Sequence, residues 1–213
     1  MNTRRKVPAK KSKKQKKSFS KQVVKTLYPT ALLCFFLLGL FVCCVYYGMW
    51  GKIPDYRELK EIRNFEASSL YSSDGELLGK YYVENRTNVM FGGISRNAIN
   101  ALIATEDVRF YEHKGFDKVS MLRVLCKTLL LGDKSSGGGS TISQQLAKNL
   151  FPRKYRNSLM IPIIKIKEII TAHRLEKLYS KDEILTLYLN TVSFGEGTFG
   201  IESAAQKYFS TTA

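Results

Sequence analysis

A long run without charged residues constrains this chain more than any other feature of its sequence. From Thr26 to Gly51, about 26 consecutive positions carry no Asp, Glu, Lys or Arg. An α-helix rises ~1.5 Å per residue, so a helix of this length exceeds the ~30 Å hydrocarbon thickness of a bilayer. The run therefore predicts a transmembrane helix over residues 26–51, with Tyr46, Tyr47 and Trp50 at one interface.

The residues before this run predict its orientation. Residues 1–25 contain eleven Lys or Arg and no acid, so the positive-inside tendency places the N-terminus in the cytoplasm and Lys52 onward outside. A cleaved signal peptide is the alternative interpretation. Its apolar core would be shorter, however, and no small-residue cleavage pattern follows Trp50. We therefore expect a single-pass membrane anchor.

The basic charge of the chain is concentrated in this tail. The formal net charge is +16, and leaving out residues 1–25 reduces it to +5. A body so close to balance offers no broad surface for phosphates, so nucleic acid is not an expected partner. The tail lacks apolar residues to bury, which predicts disorder. It serves either as a topology signal alone or as a contact for anionic lipid headgroups.

Cysteine offers no structural framework outside the predicted membrane helix. Cys34, Cys43 and Cys44 fall inside the apolar run, and Cys126 stands alone downstream. With two histidines in the chain, a zinc site of the usual Cys/His spacing is not expected either. No dedicated metal site is predicted.

The rest of the chain divides into a short β-containing part and a longer helical part. Residues 52–96 hold an amphipathic connector and a hairpin over Ser68–Val83, with Asp74-Gly75 as its turn signal. Residues 97–213 show helical periodicity and helix-start signals. The predicted helices are Asn97–His113, Val119–Leu131, Thr141–Leu150, Ser158–Tyr179 and Lys181–Asn190, with capping boxes at Thr141/Gln144 and Ser180/Glu183.

Glu106 interrupts the apolar stripe of the first of these helices. The stripe runs through Ile99, Leu102 and Ile103 and continues at Phe110, which predicts a carboxylate on the core-facing side. Burial raises the pKa of a carboxylate, as a general base near neutral pH requires. The alternative is a glutamate at the edge of the stripe that reaches water.

Glu168 interrupts the stripe of the helix Ser158–Tyr179 in the same way. Two inward carboxylates on separate helices are the usual equipment for making or breaking glycosidic bonds, because one manages the proton while the other handles developing charge. The alternative is a surface ion pair of Glu168 with Lys165 or Lys167.

A glycine-rich segment, Gly132–Ser140, leads into the helix that begins at Thr141. Backbone N–H groups at such a helix N-terminus can bind phosphate or pyrophosphate. Lys148 lies on the same side of the helix as Gln145 and would meet that ligand as a point charge. The segment is not a Walker A loop, since Gly138 replaces the essential lysine. A mobile linker is the alternative interpretation.

These segments together resemble the glycosyltransferase domain of class A penicillin-binding proteins and of monofunctional peptidoglycan transglycosylases. The motifs are EDVRFYEHKGFD over 106–117, GSTISQQLAKN over 139–149, KIKE ending in Glu168, and KDEIL, YLN and FGEGTFGIESAAQKYF between Lys181 and Phe209. They occur in the family's order across Ser69–Phe209. The resemblance implies a mainly α fold, with a lysozyme-like lobe beside a smaller membrane-proximal lobe that contains the β-hairpin.

The resemblance also implies an activity in the bacterial cytoplasmic membrane. The acid matching Glu106 would deprotonate the 4-hydroxyl of lipid II, which attacks the anomeric carbon of the lipid-linked glycan strand and displaces polyprenyl pyrophosphate. Inversion at that carbon gives a β-1,4 link. Glu168 would act on the donor side of the reaction. The substrate-binding residues that the resemblance implies are Asp107, His113, Ser140, Thr141, Gln144, Gln145, Lys148, Arg156 and Lys165.

One position departs from the family pattern. Ile164 stands where the family commonly has arginine, so Arg156 or Arg153 is expected to supply that charge. A divalent cation, Mg²⁺ or Mn²⁺, bridging the pyrophosphate stays open. The expected partners are lipid II, the glycan strand and the membrane, with room for other cell-wall synthesis proteins.

A transpeptidase is not indicated within the chain. Ser18–Lys21 matches Ser-x-x-Lys but lies on the basic tail, and no Lys-Thr-Gly follows. The chain stops at Ala213 inside the fourth motif block, so we expect a fragment of a bifunctional protein, with a monofunctional enzyme as the alternative. A membrane-bound lytic glycosidase and a non-enzymatic membrane scaffold are the rival functions.

Overall fold

The structure is a computed structural model that describes residues 12–62, 64, 66–131, 138–152 and 157–213. The chain divides into two units, one ending at Met49 and the other comprising Trp50–Ala213. In the first unit a single helix, α1, runs over Ser12–Tyr46. Its part from Lys25 to Tyr46 is long and apolar enough to cross a membrane, by length and composition.

Helix α1 differs at both ends from the segment that the sequence predicted. It ends at Tyr46, and residues 47–50 form a turn, so the helix ends before the predicted end at residue 51. It begins at Ser12, within the tail for which disorder was predicted. Once the apolar part has formed a helix, adding a residue at its end costs no new nucleus, and Lys and Gln are good helix formers.

The second unit is mainly helical, as predicted, with two small sheets. Its helices are α2 Tyr56–Lys60, α3 Arg96–Glu106, α4 Lys118–Leu131, α5 Ile142–Leu150, α6 Ile161–Leu178, α7 Lys181–Thr191 and α8 Ile201–Phe209. Short 3-10 helices cover Phe91–Gly93, Phe110–Glu112 and Ser158–Met160. The predicted capping box at Ser180 and Glu183 is present at the start of α7.

The two sheets differ in how far apart their strands lie in sequence. Strands β1 Ser68–Tyr71 and β2 Leu77–Tyr81 pair antiparallel as the predicted hairpin. The other sheet has the order β3-β5-β4, in which Asn85–Arg86 (β3) runs parallel to Thr198–Phe199 (β5) and Ser193–Gly195 (β4) runs antiparallel to it. The second sheet was not predicted, because its strands have two or three residues each and show no alternation.

Helix α5 lies at the centre of the second unit, packed against α6 and α7. Its apolar face is fully inside, since Ile142 and Leu146 have no exposed surface. Burial of such side chains is worth roughly 1.5–3 kcal/mol each, so this face is the main anchor of the helix. The buried apolar cluster comprises Leu59, Ile94, Ile99, Phe110, Ile142, Leu146, Ala147, Leu175, Ile184, Leu185, Tyr188 and Leu189.

Helix α6 and its C-cap residue Tyr179 hold residues 50–59, here called the connector, through three side chains that donate to backbone carbonyls. The buried Lys167 ammonium donates to the carbonyls of Trp50 at 2.7 Å and Gly51 at 2.6 Å. Arg174 donates to the carbonyl of Pro54 at 2.6 Å, and the hydroxyl of Tyr179 donates to that of Leu59 at 2.7 Å. These three donors fix the connector to α6.

Gly115 occupies the tightest backbone crossing near the start of α4. Its φ is +83°, and a Cβ added there would lie 2.9 Å from the backbone carbon of Ala172 in α6. Only glycine combines this left-handed conformation with such a close approach. Gly75 in the β1–β2 turn has nearly the same φ, +85°, but nothing lies within 4 Å of the added Cβ.

We predict that Gly115→Ala lowers the free energy of unfolding by roughly 2–5 kcal/mol, since the left-handed conformation costs roughly 1–2 kcal/mol and overpacking adds roughly 1–3 kcal/mol. Gly75→Ala is the matched control and should cost only the conformational part. Urea unfolding of the detergent-solubilised chain measures both. Equal losses for the two variants would show that the contact with Ala172 does not constrain the fold.

Candidate active site

Glu106 is the last residue of α3, and its side chain is exposed. The prediction that it faces the core is therefore wrong, and so is the prediction that α3 continues to His113. The helix ends because the next residue, Asp107, turns its carboxylate into the interior, where the helical path would not take it. Phe110, expected on the same stripe, reaches the core from a 3-10 turn instead.

The Asp107 carboxylate joins three segments beneath Glu106. It accepts from the backbone N–H of Ile142 at 3.1 Å and lies 3.0 Å from Nε2 of His113. Because Ile142 is the first residue of α5, the carboxylate also meets the positive end of that helix dipole. The side chains of Asp107 and His113 are 3% and 8% exposed, so they hold these segments together from the interior.

Thr141 and Gln144 hold the start of α5 against Gly115. The Thr141 hydroxyl caps α5 by accepting from the backbone N–H of Gln144 at 3.2 Å, and it donates to the Gly115 carbonyl at 2.9 Å. The Gln144 side chain donates to the same carbonyl at 3.0 Å. Only half of the predicted capping box is therefore present. Both side chains are buried, so neither presents its polar group to an open surface.

Glu168 on α6 belongs to a short chain of polar contacts with Ser140. The Lys165 ammonium lies 3.1 Å from the Glu168 carboxylate and donates to the Ser140 hydroxyl at 2.6 Å. The ion pair with Lys165 that the sequence left as an alternative is therefore present, but it is partly buried, since the Glu168 side chain is only 13% exposed. Lys167, the other partner considered for Glu168, instead points to the connector carbonyls.

Three cavities are lined by these residues. One of about 520 Å³ is lined by Ser140, Gln145, Lys148, Lys165 and Glu168. A second, also about 520 Å³, shares Lys148 and Glu168 with it. A third of about 120 Å³ is lined by Glu106 and shares Ser140 with the first. The two predicted acids therefore line neighbouring cavities that have Ser140 in common.

Gln145 provides a second link between these cavities. Its side-chain nitrogen donates to the Glu106 carboxylate at 2.7 Å, and its carbonyl oxygen accepts from the Tyr188 hydroxyl at 3.0 Å. The structure thus places Glu106, Gln145 and Glu168 at neighbouring cavities, and Lys148 lines the same cavity as Gln145 and Glu168. These cavities are lined by two acids and two lysines, which can bind a charged, phosphorylated sugar through hydrogen bonds and ion pairs.

Some predicted residues lie outside the described part of the chain. Arg156 and Arg153 are among them, and so are residues 132–137 of the glycine-rich segment. Ile164 lines both of the larger cavities, as an apolar wall next to Lys148 and Glu168. Over the ranges that the structure describes, no group of three or more His, Cys, Asp or Glu side chains is arranged to hold a metal ion.

The sequence patterns missed two residues of this region. Arg86 lines the second large cavity, where it is 6% exposed, pairs with Glu84 at 2.7 Å and lies over the Phe199 ring. Tyr188 is buried in α7 and reaches Gln145. No local signal marks Arg86, because its partner ring lies on a strand far along the chain. Tyr188 falls in the YLN motif, which carries no role by itself.

Asp117 is the carboxylate whose ionisation the fold favours most clearly. Burial alone would raise its pKa, but hydrogen bonds from the Ser120 backbone, the Arg109 guanidinium, the Ser120 hydroxyl and the Val119 backbone outweigh burial and lower the pKa to about 2. Arg109 lies 2.7 Å from the carboxylate. Asp117 lines the small cavity together with Glu106, so its negative charge lies in one wall of that cavity.

Comparison with known proteins identifies the same region. A family model described as "Transglycosylase" matches residues 74–213. The chain is 41% identical over 187 residues to penicillin-binding protein 1A of Escherichia coli (strain K12), covering 83% of this chain and 21% of that protein. It is 43% identical over 143 residues to penicillin-binding protein 1F of Bacillus subtilis (strain 168), covering 67% and 19%.

A third relative gives a similar result. Penicillin-binding protein 1A of Aquifex aeolicus (strain VF5) is 37% identical over 172 residues, covering 81% of this chain and 23% of that protein. The chain therefore spans about a fifth of the length of these relatives.

We predict that Asp117→Asn lowers the free energy of unfolding by about 2 kcal/mol at pH 7, the value of a pKa lowered from 3.8 to about 2. The ionised carboxylate stabilises the fold above about pH 4, and that contribution is lost as pH falls through about 2. The difference from the wild type should therefore shrink between about pH 4 and pH 2 in urea unfolding. Glu112→Gln, at an exposed acid of the same segment, is the control. A difference that persists unchanged to pH 2 would contradict the prediction.

Proposed function

The chain belongs to the transglycosylase family, and from that premise we propose that it is a peptidoglycan glycosyltransferase that polymerises lipid II. The observation that carries the proposal is the pair of neighbouring cavities that share Ser140, one lined by Glu106 and the other by Glu168 with two lysines. A sugar polymerase needs a carboxylate for the proton and a separate charged region for the leaving group. These two cavities offer both.

Glu106 is the proposed base. Its carboxylate is exposed to an incoming hydroxyl, and the Gln145 N–H holds one of its oxygens at 2.7 Å. The proton of the acceptor 4-hydroxyl passes to Glu106 as the hydroxyl oxygen bonds to the anomeric carbon of the donor. The bond from that carbon to the pyrophosphate breaks at the same time, and the pyrophosphate leaves with the electron pair. One displacement inverts the carbon and yields a β-1,4 link.

Lys148 and Lys165 are the proposed partners of the departing pyrophosphate. Lys148 is exposed and lines both large cavities, and Lys165 is held toward Ser140 and Glu168. Ammonium groups stabilise the negative charge that develops on the leaving oxygen. Glu168 keeps Lys165 in place and orients the donor sugar. A Mg²⁺ or Mn²⁺ ion, where one takes part, would be held mainly by the pyrophosphate oxygens.

The membrane is the proposed location of the reaction. We propose that Lys25–Tyr46 spans the bacterial cytoplasmic membrane with the basic tail inside, following the positive-inside tendency. Residues 97–213 would then form a lysozyme-like lobe on the outer face, and residues 52–96 a smaller lobe near the membrane. The lipid-linked donor and acceptor both reach such a site from the bilayer.

We predict that Glu106→Gln lowers the rate of lipid II polymerisation by at least about a hundredfold, because the amide cannot take the proton. The assay separates radiolabelled polymer from lipid II after incubation with the detergent-solubilised chain. Glu61→Gln, at an exposed glutamate after α2, is the matched control and should retain wild-type activity. Polymer formation by Glu106→Gln at the wild-type rate would contradict the proposal, as would release of fragments from added glycan with no polymer formed.

We predict that Lys148→Ala lowers kcat/KM by about ten- to a hundredfold, since a hydrogen bond to a charged group contributes about 1.5–3 kcal/mol. The melting temperature should not change, because Lys148 is exposed. Lys177→Ala removes an exposed lysine near the end of α6 and is the control. Equal kinetics for the two variants would exclude Lys148 from the pyrophosphate site.

A further inference from the structure

The side-chain amide of Gln145 lies between two groups, one that binds its NH₂ end and one that binds its oxygen end. On one side its nitrogen donates to the Glu106 carboxylate at 2.7 Å. On the other side its oxygen accepts from the Tyr188 hydroxyl at 3.0 Å. The three residues come from three different helices, α3, α5 and α7, so only the tertiary fold brings them together.

The chemistry of these groups allows one orientation of the amide. An ionised carboxylate only accepts hydrogen bonds, so Glu106 must face the NH₂ end of Gln145. The oxygen end then faces Tyr188, whose hydroxyl must donate. Burial raises the pKa of the Tyr188 hydroxyl, and the negative charge of Glu106 raises it further, which keeps the donor proton in place.

Tyr188 is well placed to hold this orientation. It is 6% exposed and belongs to the buried cluster of the second unit, flanked in α7 by the buried Leu185 and Leu189. Helix α7 begins at a complete capping box and packs directly on α5. A hydroxyl fixed on this rigid helix loses little further entropy when it bonds to Gln145.

We propose that Tyr188 is a positioning residue for the reaction, acting through Gln145 on Glu106. Tyr188 selects the amide orientation in which an N–H faces the carboxylate and one carboxylate oxygen is held. The other oxygen, Oε1, has no hydrogen-bond partner among the described residues and is the one that receives the acceptor proton. This inference rests on the proposed function in its kinetic part only.

Loss of the Tyr188 hydroxyl would free the amide to rotate. With its oxygen toward Glu106, Gln145 would repel the carboxylate, and the base would leave the position in which it meets the acceptor. Substrate binding by Lys148 and Lys165 would not change, because Tyr188 does not line the two large cavities at which these lysines lie. The expected defect is therefore one of turnover and not of affinity.

Tyr179 offers a matched control for the loss of a tyrosine hydroxyl. It also carries a hydroxyl bonded to a single acceptor, the Leu59 carbonyl at 2.7 Å, and it also packs against the buried cluster. Tyr179→Phe and Tyr188→Phe therefore remove the same group from similar surroundings. Each should lower the melting temperature by a few degrees, as expected for one lost hydrogen bond.

The kinetic test compares these two variants with the wild type in lipid II polymerisation. We expect Tyr188→Phe to lower kcat about tenfold with KM changed less than twofold, and Tyr179→Phe to leave both constants unchanged. Gln145→Glu, which cannot donate to Glu106, should lower kcat at least as much as Tyr188→Phe. Equal kcat values for the two tyrosine variants would overturn the proposal, as would a Tyr188→Phe defect confined to KM.

A spectroscopic test separates failure of this inference from failure of the proposed function. The full chain is labelled with ¹⁵N glutamine in detergent micelles, and the Gln145 NH₂ signal is assigned by its loss in Gln145→Asn. We expect a downfield proton that moves in Tyr188→Phe and in Glu106→Ala but not in Tyr179→Phe. A Gln145 signal that ignores Tyr188→Phe overturns the proposal even in an active protein. A responsive signal supports it even if no polymer is formed.

Discussion

The hydrogen bond from the Ile142 backbone to the Asp107 carboxylate is the interaction on which the site depends. It joins residues 35 positions apart, and it places a negative charge at the positive end of α5. Because Asp107 turns inward, α3 ends at Glu106, whose side chain stays at the surface. Ser140 and Thr141, just before α5, are then located relative to both acids. The positions of these residues therefore depend on one buried carboxylate.

The site separates acids by environment. Asp107 and Asp117 are buried and surrounded by donors, so they serve as fixed negative charges that organise backbone and arginine. Glu106 is exposed and accepts from Gln145 at one oxygen, and Glu168 is paired with a lysine. Electrostatic preorganisation requires charges that are already held in place before the reaction, and the two buried aspartates meet this requirement. The donors around each acid therefore determine how firmly its carboxylate is held.

Elements with local causes could be predicted from the sequence, and elements with distant causes could not. The start of α7 was predictable because Ser180 and Glu183 complete each other within one turn. The end of α3 was not, since the partner of Asp107 is on another helix. The pairing of Asn85 with Thr198 and the contact of Tyr188 with Gln145, 43 residues away, have no local signature either. Motif resemblance supplied Glu106 and Gln145 as candidate site residues, but only the tertiary structure shows that their side chains are hydrogen-bonded to each other.

The connector after α1 is held by donors that contact its backbone and not its side chains. Lys167, Arg174 and Tyr179 bind carbonyl oxygens of Trp50, Gly51, Pro54 and Leu59. Every amino acid offers such a carbonyl, so substitutions in the connector leave the acceptors intact. Selection therefore acts unevenly across this contact. The three donor positions on α6 and at its C-cap should change slowly among related sequences, while the segment they hold is free to drift in composition.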